Sequence, residues 1–376
     1  MERCRKNTIN PSIGYVMRII CTKRFSPAEY RQITKQVYAG NPYFRDSLSS
    51  VLAIITDPKG AFARRTQQQA IVVKDESDMP LAAALLLRAQ GLPDIVQLSF
   101  FEALPNAQQA VQALVDTATS IARQWGASSL LVSMNGHVNY GLGFLADSFD
   151  EMPCFGSSYT PAYYIDYFRS LGFAEQQLLS YRYSMSSFAD QQEKRILERT
   201  KKRFSFRKAN FSRLREEIGI YTQLNNMCFS SHPVYFHRHE DEDYELFKPF
   251  RCFLEEENLL IAEHGGTPIG FLLWYPDFNE LIGPGQELGI QALLKYKLLR
   301  RPIQRFKIVE IGVVPKFQGS SVILGLFHAC YELTKNRFQE YESGWVFSEN
   351  FKSKNICQRW NPETGPKYSV FTQKLA

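Results

Sequence analysis

The sequence contains no long apolar run and no closely spaced pair of cysteines. Its apolar stretches at 81–87 and 293–299 are short and flanked by charge, which argues against a transmembrane helix. The seven cysteines are odd in number and widely spaced, which argues against a disulfide framework and a cysteine zinc site. The basic N-terminus lacks a signal-peptide pattern. We therefore expect a cytoplasmic protein with reduced thiols and no membrane partner.

The length and the charge of the chain set two further limits. A chain of 376 residues exceeds a usual single core, so two domains are expected. The formal net charge of +6 is modest for this length. It suits an anionic ligand such as a nucleotide cofactor, and by itself it does not indicate nucleic acid. The oligomeric state does not follow from the sequence.

The two halves of the chain repeat one order of patterns: a helix, a hairpin, a strand, a helix and a strand. The first half has them at 26–38, 69–88, 94–104, 106–126 and 128–134, with Asn106 as the expected helix cap. The second half has them at 217–229, 258–276, 307–315, 322–338 and 343–348. Such a duplication predicts two domains of one fold, packed side by side.

A strongly basic segment separates the two halves. We predict an N-terminal extension at 1–16, a first domain at 17–190, a basic linker at 191–216 and a second domain at 217–376. We favour a solvated helix for the linker, since Glu198 stands four residues before Lys202. The alternative is a stripe whose cations bind a nucleic-acid backbone and whose phenylalanines stack on bases. The cations would be Lys201, Lys202, Arg203 and Arg207, and the phenylalanines Phe204, Phe206 and Phe211.

The segment from Glu310 to Lys335 passes from an apolar strand through a Gln-Gly-Ser-Ser turn into a helical pattern. A strand that leads straight into a helix presents free backbone N–H groups and the positive end of the helix dipole at one point. Such a point binds phosphate. The turn therefore predicts an anion site, with the reactive end of the ligand lying along the strand at 307–314.

Several segments together resemble the GNAT superfamily of acyl-CoA-dependent N-acyltransferases, and in particular its tandem GNAT-like subgroup. They are FFEALPNAQQAVQAL and 133–173 in the first half, and GTPIGFLLWYPDFNELI, IGVVPKFQG and WVFSEN in the second. The resemblance implies an α/β (α+β) fold of two tandem GNAT-like domains. Each would be a mixed, mostly antiparallel sheet flanked by helices, with a gap between two central strands for the pantetheine arm of an acyl-CoA.

The resemblance also implies which residues hold the pyrophosphate of coenzyme A. Gln318, Gly319 and Ser320 occupy the first positions of the family's turn motif, Gln/Arg-x-x-Gly-x-Gly/Ala. Ser321 and Ile323 replace its two small residues, which weakens close approach of a phosphate to the backbone. The remaining donor-binding residues would be Val313, Val314 and Asn350.

Direct transfer to an amine needs a base that accepts a proton from the attacking ammonium. Glu310, on the strand before the turn, is the expected base, and the alternative is that it pairs with an Arg or Lys. Cys357 stands where many family members have the tyrosine that protonates the leaving thiolate, and packing is its favoured role. His237 and His239 precede an acidic run, but we expect no metal there and favour a mobile loop that gates the substrate.

The first half keeps the order of elements but lacks the turn motif, so we do not expect it to hold coenzyme A. A polar cluster follows its last strand, where loops commonly carry function, and we expect this cluster to line an acceptor pocket between the domains. The expected acceptor-binding residues are Asn135, His137, Asn139 and Tyr140 of this cluster, with Tyr275 and Trp345 of the second half.

Three functions remain open from the sequence. The first is an N-acyltransferase that moves an acyl group from acetyl-CoA or a related acyl-CoA to a small amine or amino-acid-like acceptor. The second is an aminoacyl transferase whose donor is a charged tRNA, since a degraded coenzyme A turn beside a basic stripe suits that donor. The third is a non-catalytic binding protein on a degenerate GNAT fold.

Overall fold

The computed structural model describes residues 4–9, 16–188, 193–360 and 362–375. The strands are β1 (Cys4–Ile9), β2 (Val16–Thr22), β3 (Thr66–Lys74), β4 (Pro80–Ala89), β5 (Ile95–Ala103), β6 (Ser129–Val132), β7 (Phe144–Leu145), β8 (Ala174–Ser184), β9 (Ser205–Lys208), β10 (Leu259–His264), β11 (Thr267–Pro276), β12 (Arg305–Val313), β13 (Glu340–Ser343), β14 (Val346–Phe347) and β15 (Glu363–Lys374). The α-helices are α1 (Pro27–Val37), α2 (Ser49–Ile55), α3 (Ala61–Arg64), α4 (Gln108–Gln124), α5 (Tyr163–Ser170), α6 (Glu193–Arg203), α7 (Leu214–Phe229), α8 (Glu240–Phe250), α9 (Ile290–Lys297), α10 (Val322–Thr334) and α11 (Phe351–Cys357). The predicted boundary between residues 190 and 191 lies outside the described residues.

All of these strands belong to one mixed sheet, with the order β1-β2-β3-β4-β5-β6-β15-β8-β13-β12-β11-β10-β9. β7 and β14 lie off this path, against β15 and β8. Most neighbours are antiparallel, and the parallel pairs among the strands described are β5 with β6 and β12 with β13. The predicted α/β (α+β) class, with a mostly antiparallel sheet flanked by helices, is confirmed. None of the described helices combines the length and the hydropathy needed to cross a bilayer.

The last strand of the chain lies in the first half of the sheet. β15 pairs with β6, where Phe371 faces Val132, and it also pairs with β8. β8 in turn pairs with β13 of the second half, where the rings of Tyr183 and Tyr341 stack 4.4 Å apart. This exchange of neighbours makes the two halves one continuous sheet and covers edges that would otherwise be exposed.

Each half contains a gap where its two parallel strands separate. The pairing ends at Leu98 and Val132 in the first half, and at Ile308 and Ser343 in the second. A bulge interrupts each central strand just beyond this point. Bulges change the direction of side chains and are common next to active sites. The two gaps are therefore the candidate functional regions of the sheet.

Gly344 stands where the second pair of strands separates. Its N–H donates to the carbonyl of Ile308 at 2.6 Å, and a Cβ at this position would lie 2.5 Å from the carbonyl oxygen of Val309. Real Cβ atoms do not approach a backbone oxygen so closely, so a side chain here would push the two strands further apart.

Two helix starts show how far local sequence governs the fold. α1 lies within the helix predicted at 26–38 and begins with a capping box, in which Ser26 Oγ accepts from the Glu29 N–H at 3.1 Å. Asn106 does not cap α4 as predicted, because it has a φ of 60° and Ala107 occupies the cap position. The Ala107 N–H donates to the hydroxyl of Tyr167 at 2.9 Å instead, so a distant side chain replaces the local cap.

The basic segment at 191–216 contains α6 and then β9, which pairs with β10 at the edge of the sheet. Its phenylalanines pack into the fold: Phe204 and Phe211 are buried, and the Phe206 ring lies so close to Gly325 that a Cβ there would meet it at 2.1 Å. Burial of these rings stabilises the fold. It also removes them from the base-stacking role that the nucleic-acid alternative gave them.

The acidic run after His239 is a helix, and the prediction of a mobile gating loop is corrected. α8 starts at Glu240 with acids throughout its first turn, where the helix dipole favours negative charge. Arg65 of the first half donates to Asp241 at 2.9 Å and to Glu242 at 3.1 Å. These ion pairs fasten α8 to the first half of the chain.

Candidate active site

The turn at 318–321 opens directly onto the start of α10. Gly319 and Ser321 have φ angles of 78° and 67°, in the left-handed region that favours glycine. Ser321 therefore holds a backbone conformation suited to the glycine that the GNAT motif has at its position. The first N–H groups of α10 have no acceptors within the helix, so they and the helix dipole face whatever occupies this turn.

A cavity of about 300 Å³ lies at this turn. Its wall includes Val313, Gln318, Gly319, Ser321 and Ile323 from the strand-turn-helix segment, and Asn355, Ile356 and Arg359 from α11 and the residues after it. Four of the seven predicted donor-binding residues thus surround one cavity. The wall combines backbone donors with a guanidinium, a chemistry that suits a phosphate-containing ligand.

The other three predicted donor-binding residues do not line the cavity. Val314 is buried, and the Ser320 hydroxyl donates to a carbonyl within the turn. Asn350 caps α11, with its side-chain oxygen accepting from the Ser353 N–H at 3.1 Å. Asn350 therefore influences the cavity only through the helix that carries part of its wall.

Glu310 is the carboxylate directly after the bulge of β12. Its Oε2 accepts from the Tyr221 hydroxyl at 2.8 Å, and its Oε1 lies 3.9 Å from Arg238 Nη1. Burial raises the pKa of Glu310, and Arg238, Tyr221 and Asn139 oppose that shift. A carboxylate with a raised pKa is a stronger base than an ordinary one. The structure gives Glu310 the arginine neighbour of the alternative interpretation, and its role as the base stays a prediction.

Arg238 is held in place by groups other than Glu310. Its side chain is 2% exposed, it pairs with Asp243 of α8, and its Nη1 donates to Asn225 Oδ1 at 3.2 Å. Removing one partner of a buried ion pair leaves the other charge uncompensated. The guanidinium is therefore fixed by the fold, and Glu310 faces a permanent positive charge.

Sequence reasoning missed two residues of this site, Tyr221 and Arg238. Neither stands in a motif, and each lies far from Glu310 along the chain. The available signal was the position of Arg238 inside the histidine-rich and acid-rich segment at 232–243. That segment was considered as a possible metal site, and its arginine was not considered.

Asn139, Tyr275 and His137 reach the region around Glu310 in different ways. Asn139 is close enough to the carboxylate to lower its pKa. Burial raises the pKa of Tyr275, and Glu310 raises it further. His137 is 1% exposed, and its Nε2–H donates to the carbonyl of Phe236 at 3.2 Å. Burial lowers the pKa of His137 well below its ordinary value, so we reassign this neutral, hydrogen-bonded ring as a structural residue.

Of the three remaining predicted acceptor-binding residues, Tyr140 and Asn135 are buried and Trp345 is half-buried, and their role in binding an acceptor stays a prediction. Tyr140 is buried among aromatic rings. The Trp345 ring packs 5.9 Å from that of His232. Asn135 Oδ1 accepts from the Phe100 N–H at 2.8 Å, in the gap of the first half. Side-chain type and loop position suggested a pocket between the domains, and the contacts described for these three residues lie within the fold.

The first half contains a counterpart of Glu310 that was not predicted. Glu102 follows the bulge of β5, is buried, and accepts from the hydroxyls of Tyr30 at 3.0 Å and Tyr164 at 2.7 Å. Burial raises the pKa of Glu102 to about 8. The cavity beside it measures about 30 Å³, which is room for about one water molecule. An acyl chain does not fit there.

The cations of the nucleic-acid alternative fall into two groups. Lys201, Lys202 and Arg203 are exposed on α6. Arg207 donates to two glutamates, at 2.7 Å and 2.9 Å, and is committed to the fold. A positive surface remains on α6, and the buried Phe204 and Phe211 are not available for bases to stack on.

Two weaker candidates for a functional role are the pair of His237 and His239, and Cys357. The rings of His237 and His239 lie 5.3 Å apart, and no group of three potential metal ligands occurs within the described ranges. Burial raises the pKa of Cys357 to about 11. A thiol with so high a pKa is a poor proton donor to a leaving thiolate, which agrees with a packing role.

The fold defined by these features is a tandem GNAT fold. Each half has a parallel strand pair that separates beside a bulge, and the second half adds the turn at the start of a helix. No family model matches the chain. Among solved structures, a tandem GNAT protein from the clavulanic acid biosynthesis pathway, solved without AcCoA, has 10% sequence identity and a TM-score of 0.55, covering 100% of this chain and 99% of its own.

Another structural neighbour and two sequence relatives are also similar to this chain. A GCN5-related glucosamine N-acetyltransferase region in a fungal multi-domain β-N-acetylglucosaminidase covers 94% of this chain at 12% identity and a TM-score of 0.56, and this chain spans 38% of that protein. Protein YghO of Escherichia coli is 21% identical over 278 residues, 71% of each chain. The bacterial ceramide synthase of Caulobacter vibrioides is 23% identical over 266 residues, 67% of this chain and 68% of its own.

Proposed function

We propose that this protein is an N-acyltransferase that moves an acyl group from an acyl-CoA to an amine. The observation that supports this most is the placement of a buried carboxylate, Glu310, and the turn at 318–321 along one bulged strand and the helix start that follows it. Donor and acceptor would meet where β12 and β13 separate.

The donor is a substrate in this proposal, and the residues at the turn fit it. Gly319, Ser321 and the first N–H groups of α10 would bind the pyrophosphate, with Arg359 in the cavity wall adding positive charge. Ser321 already has the backbone of the glycine that it replaces, so the substitution does not close the turn. Ile323 takes up space that a smaller residue would leave free.

Glu310 would act as the base. The acceptor ammonium loses a proton to the carboxylate, directly or through a water molecule. The amine nitrogen then bonds to the thioester carbonyl carbon and the C–S bond breaks. The nitrogen releases its second proton to become an amide, and the leaving thiolate takes up one proton to become the free thiol. Arg238 keeps enough positive charge near Glu310 for its carboxylate form to be available, and Tyr221 orients that carboxylate.

One sequence relative suggests which class of amine the acceptor belongs to. A ceramide is an N-acylated long-chain amine, and one sequence relative is named a bacterial ceramide synthase. Long-chain amines and long-chain acyl-CoAs therefore belong in the first assays, beside acetyl-CoA and small amines.

The test is the midpoint of thermal unfolding with acetyl-CoA, a long-chain acyl-CoA and total charged tRNA. A ligand that binds only the native state stabilises it, by about 2.7 kcal/mol at a hundred times its Kd. We expect a shift with an acyl-CoA that is lost in Ser321→Asp, where an acid would repel the pyrophosphate. The matched control is Asn106→Asp at the start of α4, which should keep the shift.

Two outcomes would contradict the proposal. A salt-sensitive shift with charged tRNA, and none with any acyl-CoA, would favour the tRNA donor. No shift with any of these ligands would favour a non-catalytic binding protein.

A further inference from the structure

One stretch of the second half exposes a cluster of large apolar side chains. Ile290, Leu294, Leu298 and Leu299 are 68%, 45%, 73% and 66% exposed. The other exposed large apolar side chains in the described ranges, Met79, Ile196, Met227 and Phe351, are widely separated in the sequence. A contiguous exposed apolar patch on a folded protein marks an interaction site.

The cluster follows the geometry of α9. Ile290, Leu294 and Leu298 are four residues apart, so they form one line along the helix and its C-terminal end. The opposite face supplies the helix with its own core contacts, since Ala292 is buried and the Tyr296 ring packs 5.3 Å from that of Phe278. The fold therefore does not need the exposed side chains of Ile290, Leu294 and Leu298 to hold α9 in place.

Positive charge stands at the end of this line. Arg300 and Arg301 are exposed, and neither guanidinium forms an ion pair with any residue in the described part of the chain. Lys295 and Lys297 are used differently, because they bond to the Leu281 carbonyl and to Glu255 and so hold α9 on the protein. Arg300 has a φ of 47°, an uncommon conformation for a residue other than glycine.

We propose that residues 290–301 dock this protein on an anionic membrane surface. The aliphatic side chains would enter the boundary between headgroups and acyl chains, and Arg300 and Arg301 would bind lipid phosphates, the pattern of interfacial helices. A helix of eight residues is roughly 12 Å long, so it would lie in the interface plane. A second protein suits the patch less well, because protein interface hot spots favour Trp, Tyr and Arg and use few leucines.

The patch is joined to the candidate active site by short pieces of chain. α9 packs against the single turn at 278–281, which follows β11 and its Tyr275, and residue 301 leads into β12 and its Glu310. Docking would thus place β11 and β12, the strands that carry Tyr275 and Glu310, next to the bilayer in which long-chain substrates reside. This consequence rests on the proposed function, whereas the docking itself does not.

The experiment is co-sedimentation with phosphatidylcholine vesicles, with and without phosphatidylglycerol. We expect binding to the phosphatidylglycerol vesicles that weakens with salt. Arg300→Ala with Arg301→Ala should weaken it about 30-fold, because each cation near the surface contributes roughly fivefold. Leu298→Ser with Leu299→Ser should weaken binding to both kinds of vesicle. The matched control is Met79→Ser, an exposed apolar residue of the first half, which should bind as the unchanged protein does.

Three results would overturn the proposal: no binding of the unchanged protein to phosphatidylglycerol vesicles, equal binding by all variants, or a dimer in light scattering that the leucine substitutions dissociate. The last result would make the patch an interface between copies of this chain. The acyl-CoA shift in thermal unfolding, measured on the same variants, should stay unchanged. It confirms that they fold, and it separates a failure of docking from a failure of the proposed reaction.

Discussion

In the first half of the molecule, Glu102 follows the bulge of β5 and accepts a hydrogen bond from Tyr30 of α1 at 3.0 Å. In the second half, Glu310 follows the bulge of β12 and accepts one from Tyr221 of α7 at 2.8 Å. Beyond this shared pair the surroundings differ. Glu102 has Tyr164 as a further donor and a cavity of only about 30 Å³ beside it, whereas Glu310 has Arg238 as its neighbour.

The starts of α4 and α10, the helices beside the two gaps, also differ: the first is closed by a side chain and the second is open. At the start of α4, the Tyr167 hydroxyl accepts from the Ala107 N–H at 2.9 Å and donates to the Leu104 carbonyl at 2.6 Å. At the start of α10, the turn faces a cavity of about 300 Å³. A duplicated fold can therefore keep its strands, bulge and glutamate in both halves while tyrosines fill the space beside one of its two gaps.

The largest difference between the halves should appear on replacing each glutamate by glutamine. Glu310→Gln should lower kcat about 10²- to 10⁴-fold, because an amide cannot take the proton of the acceptor. Glu102→Gln should leave kcat unchanged. The measurement is the release of free thiol from an acyl-CoA in the presence of an accepting amine. Equal losses in the two variants would mean that the first gap takes part in the reaction.

A second effect concerns the stability of the first half as a function of pH. The pKa of Glu102 is about 8 in the folded protein, against an ordinary value of 4.5. Between these values the folded chain keeps a proton that the unfolded chain has released. The stability contributed by protonated Glu102 is thus fully present below pH 4.5 and is lost as the pH rises to 8, by up to about 1.4 kcal/mol per pH unit.

The Glu102→Gln variant isolates this effect. The difference in unfolding free energy between the variant and the unchanged protein should move in favour of the variant as the pH rises across this window. Urea unfolding at a series of pH values measures it. A difference that stays constant with pH would show that burial does not hold the carboxyl protonated.

The smallest expected effect is a change in the free energy of unfolding when residues of the turn at 318–321 are replaced. Ser321→Gly should raise the free energy of unfolding by at most about 1 kcal/mol, since glycine adopts the left-handed backbone without strain. Ser320→Gly is the matched control, and it should lower the free energy of unfolding by about 0.5–1 kcal/mol, because added backbone freedom brings no such relief there. Chemical unfolding measures both, and shifts in the same direction would argue against strain at Ser321.

Much of the fold could be predicted from local patterns, and the site only in part. Periodicity located the hairpins, the central strands and α1, α4, α7 and α10, because burial of one face imposes a regular spacing on neighbouring residues. The turn at 318–321 was found for the same reason, since its geometry is encoded in consecutive residues. The burial of Asn135, His137 and Tyr140 was not predicted, because polarity in a loop does not show whether a side chain faces solvent or the core.

The sequence by itself determined the order of elements, the duplication and the strand-turn-helix segment at 307–334, because each depends on residues close together in the chain. The tertiary structure decided which gap stays open, where β15 inserts, and that Arg238 faces Glu310. Those outcomes depend on residues far apart in the sequence. Their contacts leave no local pattern and arise only when the whole sheet has formed.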